Sequence, residues 1–323
     1  MASDPVHVVL WLPTRFYSGV ASTFVEILEL VNNISRAQVL SFEFVSKRSP
    51  AVSTTGISFH ARANPSRKMD ALVLMATPGL DVPELIRALD RESKDSKPVI
   101  ELAQRQGAII AAHCGGCYLL AHSGALDGKR STISWWLKTE VTRRFPRVRW
   151  DASRLLIRQG RIYTCGGGFA GLELAKALLV DLGFAKEERI VRKLLLLPPA
   201  REFQSPYEFP LETLAGAVDP FAQRLNELSK KHLRVLDLTF LARALGMSSR
   251  TMSRRFGSEL QIGPGKWIQQ KRLAAAKALL EGTKLSIAEV CHRIGYEDVA
   301  SFSRLFSKTT GMAPGEFRKQ IRG

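Results

Sequence analysis

A cysteine at a sharp bend is the side chain of this sequence best suited to covalent chemistry. Cys114 follows the apolar run Ala108–Ala112 and precedes Gly115, Gly116 and a helical pattern that begins near Cys117. This order of strand, small residues and helix is typical of a nucleophile elbow, which holds a side chain beside the N–H groups of a helix N-terminus. We expect a thiol placed there to have a lowered pKa and to be able to attack a carbonyl carbon.

Catalysis by Cys114 would also need a base, and the sequence offers none in a suitable position. His113 is adjacent, but successive residues on a strand point to opposite faces. His122 lies two turns into the following helix, where we expect it to pack or to face solvent. The sequence therefore predicts no catalytic residue.

The Cys114-x-x-Cys117 spacing also matches the redox motifs found at helix starts, so a thiol switch stays an alternative. A zinc site would need four ligands, and no second cysteine or histidine pair occurs at a suitable spacing. We expect neither a metal nor a cofactor.

A repeat near the carboxyl end indicates a different chemistry. Leu241–Gly246 and Val290–Gly295 share one order of apolar, small, polar and glycine residues, and the match continues with a period of about fifty residues. The matched positions downstream are Arg254 with Arg304, Phe256 with Phe306, Pro264 with Pro314, and Trp267 with Phe317. Each copy predicts two helices joined by a tight turn, with glycine ending the first helix and phenylalanine in the core.

Short polar and cationic side chains occupy the predicted exposed face of the second helix in both copies. They include Arg250 and Arg254 in the first copy, and Ser303 and Arg304 in the second. Such side chains suit base edges in a major groove while neighbouring groups hold phosphate. A solvated basic face would explain any one arginine equally well, but it does not explain two copies in matched frames.

The elements that must position these residues fall into two classes. Up to Leu197, short apolar runs alternate with helical patterns, which predicts a parallel sheet flanked by helices. The predicted strands are Val6–Leu12, Phe42–Val45, Ala71–Met75, Ala108–Ala112 and Ile162–Cys165, and the predicted helices include Thr23–Asn33, Pro83–Asp90 and Gly171–Leu182. We therefore predict an α/β domain at residues 1–200, a linker rich in proline at 201–218, and an all-α domain with two helix-turn-helix units at 219–323.

Charge and cysteine content agree with this division. The net charge is +17, and the residues from Phe221 onward hold 19 basic against 8 acidic side chains. An excess of Lys and Arg attracts a polyanion. Four scattered cysteines predict no disulfide framework, and neither a charged leader nor a long apolar run is visible, so we expect a cytoplasmic, nucleoid-associated protein without membrane contact.

The carboxyl-terminal residues resemble the DNA-binding domain of the AraC/XylS transcription regulators. The resemblance covers about residues 219–322 and is strongest at Ile287–Tyr296, Phe302–Phe306 and Gly311–Pro314. It implies that two recognition helices enter successive major grooves. Carried over by position, the residues that face bases are Arg250, Ser253, Arg254, Val299, Ala300, Ser303 and Arg304.

The residues up to Leu197 resemble the class I glutamine amidotransferase-like (ThiJ/PfpI) domain found at the front of one AraC subgroup. Catalytic relatives have a histidine at the position of Ser134, directly before Trp135, and without it Cys114 has no evident base. The resemblance implies a retained ligand pocket rather than an active enzyme. Its candidate lining residues are Cys114, Gly115, Ser134, Trp135 and Gly167.

These observations predict a sequence-specific regulator that binds double-stranded promoter or operator DNA and responds to a small metabolite. The expected assembly is a homodimer through the amino-terminal domain, and RNA polymerase is a further candidate partner. The alternative is a cysteine-dependent amidase or hydrolase with an appended nucleic-acid-binding domain.

Overall fold

The computed structural model describes residues 4–79, 81–197, 200–208, 220–260 and 262–322. Its contacts divide the chain into two compact units, one up to Ser205 and one from Pro206 onward. Residues 201–205 of the predicted linker belong to the first unit, because Gln204 is buried there and the Glu202 carbonyl accepts a hydrogen bond from the Leu155 N–H at 2.8 Å. Residues 209–218 of that linker lie outside the described residues.

A mostly parallel sheet forms the centre of the first unit. The described strands are β1 (Val6–Trp11), β2 (Leu40–Val45), β3 (Ala51–Val52), β4 (Ser58–Phe59), β5 (Ala71–Leu74), β6 (Ile109–His113), β7 (Arg130–Ser131), β8 (Arg149–Trp150), β9 (Leu156–Gln159) and β10 (Ile162–Cys165). The main sheet has the order β2-β1-β5-β6-β10-β9, and only β9 runs antiparallel to its neighbour. The predicted parallel sheet is therefore confirmed.

Helices cover both faces of this sheet. They are α1 (Ser18–Ser35), α2 (Val82–Gln106), α3 (Gly116–His122), α4 (Lys138–Arg144), α5 (Gly171–Asp181) and α6 (Ala185–Leu194). One buried cluster joins α1, α5 and α6 to the sheet, and a second joins α2 and α3 to the other face. This explains why β1, β5 and β6 are almost continuously apolar, since parallel strands covered on both faces have no solvent side.

Helix α2 is longer than the sequence pattern predicts. The predicted helix ends at Asp90, whereas α2 continues to Gln106 through a polar stretch that contains Pro98. Polar side chains in this stretch are buried and bonded: the Glu92 carboxylate accepts from the Thr14 N–H at 2.9 Å. Tertiary contacts thus stabilise a segment whose composition resembles a loop.

The second unit is helical in its described residues. Its helices are α7 (Pro220–His232), α8 (Leu238–Ala244), α9 (Ser249–Glu259), α10 (Pro264–Gly282), α11 (Ile287–Arg293), α12 (Val299–Thr310) and α13 (Pro314–Arg322). The pairs α8–α9 and α11–α12 are the two predicted helix-turn-helix units, and α10 connects them. In the described part of the chain, no helix combines the length and apolar character needed to cross a bilayer.

Candidate DNA-reading surface and cysteine site

The two helix-turn-helix units are built by equivalent residues. Gly246 and Gly295 end α8 and α11 with φ values of +65° and +87°, the left-handed region that favours glycine. The Ser248 hydroxyl then accepts from the Thr251 N–H at 3.1 Å and caps α9. Asp298 caps α12 in the same way. Local sequence therefore sets the bend before each candidate recognition helix.

Matched aromatic pairs anchor the two recognition helices. The rings of Phe256 and Trp267 meet edge to face with centroids 5.6 Å apart, and those of Phe306 and Phe317 meet likewise at 5.3 Å. All four side chains are buried. Because the inward faces are equivalent, the outward faces of α9 and α12 are presented in matched frames.

The first recognition helix distinguishes two adjacent arginines. Arg254 is exposed, as are Arg250 and Ser253. Arg255 instead forms a bidentate pair with Glu259 at 2.7 and 2.8 Å, and its guanidinium lies 3.9 Å from the centroid of the Phe221 ring. Arg254 can therefore contact a ligand, whereas Arg255 holds the domain together.

The second recognition helix presents one arginine in a fixed setting. The Arg304 Nη2 donates to the Ser301 hydroxyl at 2.9 Å and lies 3.9 Å from the Asp298 carboxylate, while 73% of its side chain is exposed. Ala300 is exposed, and Val299 and Ser303 are half-buried. The predicted DNA-facing residues of this helix thus reach solvent beside an oriented guanidinium.

Arg272 of α10 joins the two helix-turn-helix units. Its Nη2 donates to the carbonyls of Arg234 and Leu236, before α8, at 3.4 and 3.2 Å. Its guanidinium also lies 5.3 Å from the centroid of the Tyr296 ring, before α12. A Cβ added at Gly295 would lie 2.6 Å from the Arg234 carbonyl oxygen. The turn of the second helix-turn-helix unit therefore also packs directly against the segment before α8.

In the first unit, Cys114 has the backbone of an elbow but not the electrostatics of a nucleophile. Its φ of +52° is left-handed, and its Sγ lies 2.8 Å from the Ser134 Oγ. Burial raises the pKa of the Cys114 thiol, and the hydrogen bonds from Ser134 and the Gly115 backbone lower it by less. The expected lowering of this pKa is therefore wrong.

The adjacent histidine faces another partner. The His113 Nε2 lies 2.8 Å from the Gly168 carbonyl and donates to it, and its Nδ1 has no partner among the described residues. Burial lowers the pKa of His113 to about 4, so the ring is neutral at physiological pH. Its hydrogen-bond partner is thus Gly168 and not Cys114, which agrees with the expectation that His113 does not act as a base for this thiol.

The remaining thiols of this unit are buried and free. Burial raises the pKa of both Cys117 and Cys165, and the Cys117 thiol donates to the Ala112 carbonyl at 3.3 Å. Among the described residues, no group of three His, Cys, Asp or Glu side chains could hold a metal. Nothing in this cluster has the exposed thiolate that a rapid redox switch needs.

Ser134 contacts Cys114, and Gly167 packs against Ser134. Ser134 is fully buried and Trp135 is half-buried. A Cβ added at Gly167 would lie 2.8 Å from the Ser134 Oγ, so this position has no room for a larger side chain. Of the predicted pocket residues, the structure therefore brings Ser134 and Gly167 to Cys114, while Trp135 follows Ser134 at a half-buried position.

An open cavity of about 330 Å³ lies at the carboxyl ends of β1 and β5. Its described lining residues include Arg15, Tyr17, Thr54, Thr77, Asp81 and Glu84. The Thr77 main chain also lies beside Gly115, whose added Cβ would be 3.5 Å from the Thr77 nitrogen. No sequence motif identifies these residues, although the reversal of strand order between β1 and β5 marks the usual ligand crevice of such sheets.

Comparison with known proteins agrees with this architecture. Residues 241–320 match the protein family described as "Helix-turn-helix domain". The HTH-type transcriptional regulator GbdR of Pseudomonas aeruginosa is 27% identical over 221 residues, which are 68% of this chain and 60% of GbdR. The HTH-type transcriptional regulator GlxA of Rhizobium meliloti is 27% identical over 230 residues, 71% of each chain.

A crystal structure of a putative transcriptional regulator from Vibrio parahaemolyticus covers 59% of this chain and all of its own, with a TM-score of 0.53 at 17% identity, and shows the fold alone. The two curated relatives named above are transcription regulators, and they share the helix-turn-helix architecture of the second unit. The predicted helix-turn-helix domain is therefore confirmed, and the first unit has a mostly parallel sheet with a left-handed elbow at Cys114.

Proposed function

We propose that this chain regulates transcription by reading operator DNA with α9 and α12. The observation that carries the proposal is the matched presentation of exposed side chains by two helices with equivalent caps and anchors. Arg254 and Arg304 suit guanine, whose O6 and N7 accept two hydrogen bonds in the major groove. Val299 and Ala300 suit the methyl group of thymine.

The test is selection of genomic fragments by the full chain, followed by affinity measurements on the best fragment. Arg254→Ala and Arg304→Ala should each weaken binding about tenfold or more and relax selectivity, as loss of a base contact does. Arg189→Ala removes the same charge from an exposed position on α6 and serves as the control. Non-selective binding that neither α9 nor α12 variant changes would refute the proposal.

The regulator's effector is proposed to be a small polar or nitrogen-containing metabolite that binds next to Cys114. The buried Thr77 Oγ1 lines the adjacent cavity and has no partner among the described residues, which supports a polar ligand there. The lining contains both a cation, Arg15, and the carboxylates Asp81 and Glu84, which suit a molecule with both charges.

Isothermal titration of amino acids and amines into the full chain tests this part. Binding that is lost in Thr77→Val and that changes operator affinity supports the effector site. Failure of every compound either to bind or to change operator affinity would count against it.

An enzymatic role for Cys114 has little support. A cysteine hydrolase needs a thiolate and a base, whereas burial raises the pKa of this thiol and its neighbour is the Ser134 hydroxyl. The left-handed backbone at Cys114 is the one observation that favours the amidase alternative. We infer that the elbow is retained as architecture around a binding site.

A homodimer through the first unit, and contact with RNA polymerase, complete the proposal. Exposed apolar side chains at and after the end of α6, including Leu194 and Leu195, support a protein interface there. Sedimentation of the full chain with Leu194→Glu and with the exposed Arg189→Glu as control tests the dimer. A monomeric wild-type chain at micromolar concentration would refute it.

A further inference from the structure

The last residues of the first unit return to the loop that faces Cys114. The Glu202 carbonyl accepts from the Leu155 N–H at 2.8 Å, and the Gln204 N–H donates to the Ser153 carbonyl at 2.9 Å. These bonds extend the edge of the sheet just before β9. The segment that leads to the second unit is thus held by the first unit.

The buried amide of Gln204 brackets Ser134. Its Oε1 accepts from the Trp135 N–H at 3.2 Å, and its Nε2 donates to the Ile133 carbonyl at 2.7 Å. The same Nε2 donates to the Arg154 carbonyl at 3.0 Å. One side chain therefore holds the main-chain groups on both sides of Ser134 and also the strand edge that its own segment joins.

Only one orientation of this amide satisfies these partners. Exchange of Oε1 and Nε2 would turn the oxygen towards the carbonyls of Ile133 and Arg154 and the NH₂ group towards the Trp135 N–H. Gln204 is 3% exposed, so water cannot replace the lost bonds. A Cβ added at Gly166 would lie 2.8 Å from its Oε1, so the amide packs against a position where only glycine fits.

Ser134, between the two bracketed groups, touches the cysteine. Its Oγ lies 2.8 Å from the Cys114 Sγ, and its other side is closed by Gly167. A shift of Cys114 or of the loop that carries Ser134 must strain or break the bonds of Gln204. Two residues later, at Pro206, the chain enters the DNA-binding unit.

We propose that Gln204 is the positioning residue through which the Cys114 site controls the DNA-binding unit. This inference rests on the effector response proposed above and identifies the residue through which that response reaches the DNA-binding unit. A ligand that moves the Ser134 loop releases Gln204, and the segment before Pro206 leaves the sheet edge. An undisturbed loop keeps that segment fixed.

The test is a double-mutant cycle in the full chain, read as affinity for the DNA fragment that the wild-type chain selects. Ser134→Val removes the bond to Cys114 and adds bulk against Gly167, and Gln204→Leu removes the bracket at nearly constant volume. Ser134→Ala and Gln204→Glu are the second variants if either first choice fails to fold. Gln159→Leu, on the half-buried end of β9, is the control.

Ser134→Val should change operator affinity by at least about fivefold, the lower end of allosteric couplings, in the wild-type and Gln159→Leu backgrounds. In the Gln204→Leu background the same substitution should have no effect. Hydrogen exchange at the Trp135 amide should be faster in Gln204→Leu than in the wild-type chain or in Gln159→Leu.

Equal effects of Ser134→Val with and without Gln204, or unchanged exchange at Trp135, would overturn the coupling while leaving the regulator intact. Absence of selective DNA binding by the wild-type chain would overturn the proposed function and this inference together. The two failures are therefore distinguishable.

Discussion

Cys114 combines a backbone that is prepared for chemistry with surroundings that oppose it. Its left-handed φ turns the thiol into the elbow, but enclosure by Ser134 and the sheet removes the water that would stabilise a thiolate. The pKa of the Cys114 thiol is raised, because the effect of desolvation outweighs that of the hydrogen bonds from Ser134 and Gly115.

Iodoacetamide should therefore alkylate Cys114 more slowly than a free thiol at neutral pH. The raised pKa means that the thiolate fraction is smaller, and burial restricts access. The measurement is the labelling rate at Cys114 by mass spectrometry from pH 6 to 9, with a cysteine peptide as reference. A rate well above that of the peptide would support the hydrolase alternative.

His113 should make the first unit less stable as the pH falls. Its pKa is about 4 in the folded chain, below the ordinary value near 6.5, so the unfolded chain binds a proton first. The contribution of neutral His113 to the free energy of unfolding is fully present above about pH 6.5. It is lost progressively towards about pH 4, by up to about 3 kcal/mol. Urea unfolding at several pH values, compared with His113→Asn, measures this loss.

An equal pH dependence in wild type and His113→Asn would show that other groups control acid unfolding. His122 provides a matched control, because it lies in α3 but is exposed. His122→Asn should leave the slope unchanged.

At the scale of elements, the two turns differ although their sequences are alike. Gly246 has open space where a Cβ would stand, whereas a Cβ at Gly295 would meet the Arg234 carbonyl at 2.6 Å. The second turn is also longer by one residue, since the cap comes two positions after Gly246 but three after Gly295.

Gly295→Ala should therefore lower the stability of the folded chain more than Gly246→Ala does. Both substitutions place alanine in the left-handed region, which costs about 1 kcal/mol. Only Gly295→Ala must also displace the contact between the two helix-turn-helix units, so its operator affinity should fall as well. Thermal unfolding and DNA binding of the two variants, side by side, give the comparison, and equal losses would contradict it.

The local signals of these elements could be predicted from sequence. Repeated glycines, caps and aromatics define the two units because each acts within a few residues. The extension of α2 beyond Asp90, the raised pKa of Cys114 and the cavity beside Thr77 could not be predicted. They depend on which distant residues enclose a polar group, and alternation patterns do not contain that information.

For the whole molecule, the uneven charge predicts a steep salt dependence of DNA binding. A protein that neutralises six to ten phosphates loses about 10³ to 10⁵ in affinity between 50 and 200 mM salt. We expect operator binding by the full chain to fall in this range, because 19 basic residues lie from Phe221 onward. Fluorescence anisotropy across a salt series measures the slope.

Lys308→Ala should lower that slope by about one if this exposed side chain of α12 holds a phosphate, without changing selectivity. Arg304→Ala should instead reduce selectivity. A slope near zero for the wild-type chain would contradict the electrostatic reading of its composition.

The unequal turns have a consequence for direction. The first recognition helix offers two arginines and a serine, and the second offers two small apolar residues, a serine and one arginine, after a turn that is one residue longer. The two DNA-contacting ends of a single chain are therefore not equivalent. The DNA sequence that the chain binds would therefore be asymmetric. One bound chain would have a fixed orientation on the DNA and would distinguish upstream from downstream.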